Sequence, residues 1–174
     1  LAGTELEVLM AQAVRAVAKA LDLRMCKVLE HDPAQNCLRL KAGIGWSAGA
    51  VGSATVTDGA ESQAGYTLQA DAPVVVEDIN EESRFTPPDL LTAHSATSGV
   101  SVVIASTPSP YGILGAHSTD LRGFDEEDVY FLQSVSNVLA GAVERARTER
   151  ALRESEARAT SIIETTVDGI ITID

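Results

Sequence analysis

The sequence predicts an α+β domain: an antiparallel β-sheet with flanking helices and a long C-terminal helix. Three observations lead there. The β-like runs come in pairs joined by short polar turns, as hairpins do. Helical segments flank these pairs instead of alternating with single strands, which argues against a parallel sheet. The last third reads as one helix from Phe124 to Glu164.

The elements follow in order. From Glu5 to Leu21, apolar residues at Leu6, Leu9, Met10, Ala13, Val14, Val17 and Leu21 have amphipathic helical spacing. Thr4 and Glu7 are placed to form a capping box at its start. Met25 to Glu30 and Cys37 to Ala42 read as a hairpin across the polar turn His31 to Asn36. The glycine-rich stretch from Gly43 to Gly52 lacks the Gly-Lys-Ser/Thr ending of a phosphate loop. Ala54 to Thr57 reads as a short strand, Ser62 to Gln69 as a short helix, and Pro73 to Ile79 as a buried strand. Thr86-Pro87-Pro88-Asp89 reads as a helix start with Thr86 as the N-cap, ahead of Leu90 and Leu91. Gly99 to Ser106 and Ile113 to Ser118 form a second hairpin. Asp125 is the expected cap of the long helix, and the acids that follow favour its positive end.

Composition narrows the function. There are 13 basic and 25 acidic residues, a net charge of −12. Phosphate neutralisation needs a basic face, so nucleic acid is excluded as a partner, and so is an anionic membrane surface. No apolar run approaches the roughly 18 residues of a membrane span, and no leader opens the chain. Cys26 and Cys37 make neither a disulfide framework nor a zinc site, and read as reduced thiols of a cytoplasmic protein. A start at Leu1 and an end within a β-like run are expected of a piece of a longer protein.

No nucleophile elbow or kinase motif is present, so catalysis has little support. His31 falls in a turn, His94 ends a short helix, and His117 lies in a strand, where a hydrogen-bonded core role is expected over metal or haem ligation. No His/Cys/Asp/Glu cluster has metal-ligand spacing. Cys26 and Cys37 fall on paired strands, which leaves a redox pair as an alternative.

Two stretches carry a family resemblance. Ser62-Gln63-Ala64-Gly65-Tyr66, Pro73 to Asp78 and Arg84-Phe85 resemble the middle of GAF sensory domains. Pro110 to Ser118, followed by Phe124 to Leu132, resembles their end. The resemblance spans residues 4 to 146 and implies a GAF-like sheet. It also implies a ligand pocket between the sheet and the short helices, lined by Trp46, Tyr66, Val76, Ile79, Phe85, Leu91 and His94. The ligand stays unknown and no cofactor is evident. Leu90 stands where cyclic-nucleotide GAF domains carry Glu, with no Asn-Lys upstream, and residues 43 to 124 hold no cysteine for a bilin. Some GAF proteins reduce methionine sulfoxide with pocket cysteines, which is the form the Cys26/Cys37 alternative would take. A dimerising spacer without ligand is the other.

Leu152 to Arg158 and Ile162 to Asp174 resemble the entry of a PAS domain, with Gly169 to Ile173 as its first strand. The implied organisation is a GAF domain over 1–146, a signalling helix over 147–164 with a break at Thr165, and the start of a PAS domain over 165–174. The implied parent is a bacterial sensor histidine kinase, with a diguanylate cyclase or a transcription activator as alternatives. The resemblance also favours a homodimer over a single solvated helix. Its seam would run through Leu132, Val135, Leu139, Ala142, Ala146, Leu152 and Ala159. Beyond it, Arg145-Glu149-Arg153 and Arg150-Glu154-Arg158 step by four, placing opposite charges one turn apart.

Overall fold

A computed structural model describes residues 2–70 and 72–172. In chain order the elements are α1 (Ala2–Ala20), β1 (Met25–Asp32), β2 (Cys37–Ile44), β3 (Thr55–Thr57), α2 (Gln63–Gln69), β4 (Val74–Val76), α3 (Asp89–Thr92), β5 (Ser98–Ile104), β6 (Gly112–Ser118) and α4 (Glu126–Ile171). The strands form one sheet of order β3-β2-β1-β6-β5-β4, and every neighbouring pair is antiparallel. Both expected hairpins form, and pairing of β1 with β6 joins them at the centre.

Alternation along the strands splits the sheet into two faces. Cys26 and Val28 of β1, Leu114 and Ala116 of β6, and Val100, Val102 and Ile104 of β5 share one core with α1 and α4. Met10, Val14 and Val17 of α1 and Leu132, Leu139 and Val143 of α4 close that core. The Ser136 hydroxyl donates to the Val103 carbonyl at 2.7 Å, which pins α4 to β5. The opposite face is covered by α2, α3 and the segments between β2 and β5.

Asp125 caps α4, its carboxylate accepting from the Asp128 backbone N–H at 2.9 Å. Arg122 reinforces this start. It donates to the Leu21 carbonyl at the end of α1 and to the Asp128 carboxylate, and stacks on Phe124. Asp125→Ala should cost about 1 kcal/mol, read as a lower urea midpoint with an unchanged slope.

Several expectations are corrected. Thr4 lies inside the first turn of α1, so the capping box with Glu7 is not used. Thr86 does not cap α3. Its N–H donates to the Glu61 carbonyl at 2.7 Å in a bridge beside Ser62, and Pro88 occupies the cap position without a side-chain bond. Strand β4 is only Val74–Val76, because the chain then turns and the Ile79 N–H bonds to the Thr97 carbonyl.

The largest difference is at the C-terminus. Helix α4 continues through Thr165 without a break and reaches Ile171. Residues 169–171, expected to open a strand, are helical; Ile173 and Asp174 lie outside the described residues. A strand needs a neighbour to satisfy its backbone, and among the described residues none stands beside this segment, whereas a helix satisfies its own. The Thr165 and Thr166 hydroxyls bond back to the Ser161 and Ile162 carbonyls at 2.9 and 2.8 Å, so these β-branched residues sit in the helix without orphaned groups. Neither charge ladder of α4 closes to an ion pair among the described residues, as exposed pairs gain little against side-chain entropy.

Candidate functional site

The face opposite α1 and α4 carries a polar floor. Lys27 lies between Cys26 and Val28, both in the helix-side core, so its side chain points to the other face. The register aligns Lys27 with Gly115 and Gly115 with Ser101. The next row is Met25, His117 and Gly99. Glycine at 99 and 115 makes room for the two basic side chains. A Cβ on Gly99 would stand 2.3 Å from His117 Nδ1, and one on Gly115 would stand 3.2 Å from Lys27 Cε and 3.1 Å from His117 Nε2.

These groups are buried without counterparts. Lys27 is 1% exposed, and its ammonium makes no hydrogen bond or ion pair among the described residues. Its one favourable contact is the Trp46 ring, 5.4 Å from Nζ to the centroid. Burial pulls the Lys27 ammonium from its ordinary value down to about 7. His117 is equally buried, and its Nε2 has no hydrogen-bond partner. Burial, with the Lys27 charge adding to it, holds its imidazole well below the ordinary histidine range. The Gln63 amide is also buried with neither Nε2 nor Oε1 partnered. It sits one turn before Thr67 on α2, and Thr67 bonds Ser101 in the Lys27 row at 2.7 Å.

The residues expected to line the pocket do come together above this floor. Val76, Ile79, Phe85 and Leu91 form one cluster with Met25 and Val74, and Trp46 and Tyr66 pack against it. Tyr66 and Phe85 lie 5.6 Å apart, and the Arg84 guanidinium stands over both rings. Arg84 is fixed there by Glu82 at 2.6 Å and by the Val75 carbonyl. Its hydrogen bond holds the Glu82 carboxyl below the usual carboxylate range.

Trp46 is the hub. Its indole N–H donates to the Cys26 carbonyl at 2.8 Å, and its ring meets His94 and His117 edge-on at 5.1 and 6.2 Å. Gly43 permits that position, since a Cβ there would be 2.5 Å from the indole. Both nitrogens of His94 are engaged. Nδ1 bonds the Leu90 carbonyl, which leaves Nε2 to accept from the Ser47 N–H, each at 2.8 Å.

Sequence reasoning missed Lys27 and Gln63 and took His117 for a hydrogen-bonded core residue. A signal for Lys27 was available: a single lysine inside the apolar run Met25-Cys26-Lys27-Val28-Leu29, at the register of Met25 and Leu29. The redox pair is corrected. Cys26 pairs with Ile44 and Cys37 with Asp32, six residues along β1, so the thiols stand about 20 Å apart at about 3.3 Å per residue. Burial also pushes the Cys26 thiol up to about 12, away from the thiolate that exchange requires.

The expected dimer seam is corrected in part. Leu132 and Leu139 are 0% exposed in the core of their own domain; Ala142 is buried too, and Val135 packs against the same core. Ala146 lines a cleft against Leu6 of α1. Leu152 and Ala159 are exposed. Val138 and Ile163, which the apolar spacing of the helix already includes, are exposed with them, and so are Tyr130, Ile162, Val167, Ile170 and Ile171, which it does not single out for the seam; Tyr130 and Val138 are 68% and 60% exposed. No helix among the described residues is long and apolar enough to cross a membrane, and none of their His, Cys, Asp and Glu side chains cluster to hold a metal.

A family model described as a GAF domain matches residues 5–145. No curated protein matches. Among solved structures, the chain is similar to the GAF domain of a phosphoenolpyruvate-protein phosphotransferase from Coxiella burnetii. The TM-score is 0.76 and the identity 21%, over 84% of this chain and 86% of that one. It is similar to free methionine-R-sulfoxide reductase from Neisseria meningitidis, solved with its substrate, at TM-score 0.71 and 20% identity, over 83% and 81% of the two chains. It is also similar to a domain of a putative two-component sensor histidine kinase from Sinorhizobium meliloti, at TM-score 0.66 and 16% identity, over 82% and 93%.

Proposed function

This chain belongs to the GAF domain family, and on that premise we propose that it is a cytoplasmic regulatory domain of a bacterial signal-transduction protein. It is not itself an enzyme. It holds a small molecule on the face floored by Lys27 and His117, and passes occupancy along α4 in a homodimer to a PAS domain and an output domain. The output is a sensor histidine kinase, with a diguanylate cyclase as the alternative.

One observation carries the relay. Helix α4 spans 46 residues, or about 69 Å at 1.5 Å per residue, and has two apolar faces. Leu132, Leu139 and Val143 lock one face to the sheet. At about 100° per residue, Tyr130, Val138, Leu152, Ala159, Ile163 and Ile170 fall within roughly 80° of one another on the opposite side. A second copy laid along that stripe would bury it in parallel pairing. Arg145 and Glu156 fall within the stripe and Glu149 at its edge, and charge at a seam lowers its stability and eases a shift between registers. Light scattering on the chain is expected to give a dimer, and Ile163→Glu is expected to weaken it at least tenfold without moving the unfolding midpoint. A monomer at tens of micromolar would sink the relay.

A spacer that dimerises without a ligand is the second reading, because the apolar pocket residues fill their own space by packing on one another. It requires that no metabolite raise the unfolding temperature.

A further inference from the structure

We propose that the floor beneath Trp46 binds the carboxylate of a small monocarboxylic acid with an apolar tail, the Lys27 ammonium holding one oxygen and His117 Nε2 donating to it as well. This rests on the reading of this face as the ligand face, and names the chemistry it takes.

Charge balance comes first. A buried ammonium with no carboxylate beside it is costly, and methionine would fill the same space at no such cost. Lys27 is nonetheless built in, with Gly99 and Gly115 holding space for it and for His117. One buried cation matches one negative charge. A phosphate dianion would find a single buried ammonium, since the Arg84 guanidinium over Tyr66 and Phe85 is part-exposed and already paired with Glu82, and a neutral ligand would leave the ammonium uncompensated. His117 is held neutral by its burial, so it donates through Nε2 without adding a second charge. The unpartnered Gln63 amide, on the α2 side of the same face, can donate to or accept from a polar group on the ligand.

The walls set the rest of the ligand. Val76, Phe85 and Leu91 are buried in the apolar cluster bordering the floor, which suits a short hydrocarbon tail. Trp46 is half-buried and stands over Lys27 from the segment between β2 and β3. An acid bound at Lys27 therefore lies beside the indole ring. Trp46 is the single tryptophan of the chain, so its fluorescence reports the event.

The test uses the full chain, titrated with butyrate and hexanoate against butyramide, with sodium chloride matching ionic strength. Both carboxylates are expected to change Trp46 emission saturably and raise the unfolding temperature, with butyramide at least tenfold weaker. Lys27→Met, checked as folded by circular dichroism, is expected to lose the response, and His117→Phe to weaken it about tenfold. Equal responses to butyrate and butyramide, no response beyond that to sodium chloride, or a response surviving Lys27→Met would each overturn the site. Light scattering separates this outcome from the relay. A dimer blind to carboxylates removes only the site, whereas a monomer that binds butyrate removes only the relay.

Discussion

Lys27→Met is expected to stabilise the folded protein by about 4 kcal/mol at neutral pH, an unusually large gain for one substitution. The folded chain buries the ammonium without a hydrogen bond or acidic partner, and burial brings it to about 7 from 10.5. The sign follows from proton counting. Below pH 7 both states keep the proton, and the folded state bears the full cost of the buried charge. Between pH 7 and 10.5 the unfolded chain holds a proton that the folded chain has shed, so wild-type stability rises with pH. Above 10.5 neither state is charged and the cost is gone. The advantage of Lys27→Met should therefore be full at and below pH 7 and fade toward pH 10.5, as read by urea unfolding across that range. His117 acts with the same sign. Its imidazole stays neutral in the fold well below the ordinary value of 6.5, so acid favours the unfolded chain further. Saturating butyrate should narrow the gap near neutrality, because a ligand bound only to the folded wild type stabilises it by mass action. An advantage independent of pH would mean that packing, not charge, drives it.

Leu139 and Val138 are adjacent in sequence and should behave as opposites. Leu139→Ala is expected to cost about 3 kcal/mol of stability, within the range for emptying a packed core site. Its side chain is 0% exposed among residues of α1, α4 and the sheet. Val138 is 60% exposed on the other side of the helix. Val138→Ala should leave the unfolding midpoint of the dissociated chain within about 0.5 kcal/mol of wild type and weaken self-association. Urea unfolding at low protein concentration reads the first effect and light scattering the second. If Leu139→Ala dissociates a dimer while barely moving stability, the assignment of the two faces is reversed.

Much of the fold was legible because its signals are local. The spacing of Leu6, Met10, Val14 and Val17 marks one apolar face of a helix, and the paired β runs around short turns mark hairpins. Asp125 ahead of three acids marks a helix start. The boundaries that failed depend on partners elsewhere in the chain. Thr86 is drawn into a bridge with Ser62, and residues 169–171 stay helical where no strand of the described residues stands beside them.

The site divides the same way. That Trp46, Tyr66, Val76, Ile79, Phe85 and Leu91 gather on one face of the sheet was legible through the family resemblance, which groups these residues there. The seam of α4 was legible only as an apolar stripe too wide for one partner. Periodicity counts apolar residues around a helix but does not say which arc meets the sheet. Only packing against β5 and β6 assigned Leu132 and Leu139 to the core and left Tyr130, Val138 and Ile163 outside.

From residue order alone came the α+β class, the element order, and a long helix with more apolar surface than one interface needs. These rest on short-range patterning, which any segment carries with it. The burial of Lys27 and His117, the distance between Cys26 and Cys37, and the two faces of α4 came from the folded chain. Each is a matter of strand register and of which face a side chain takes, and those are set by contacts between residues far apart in sequence.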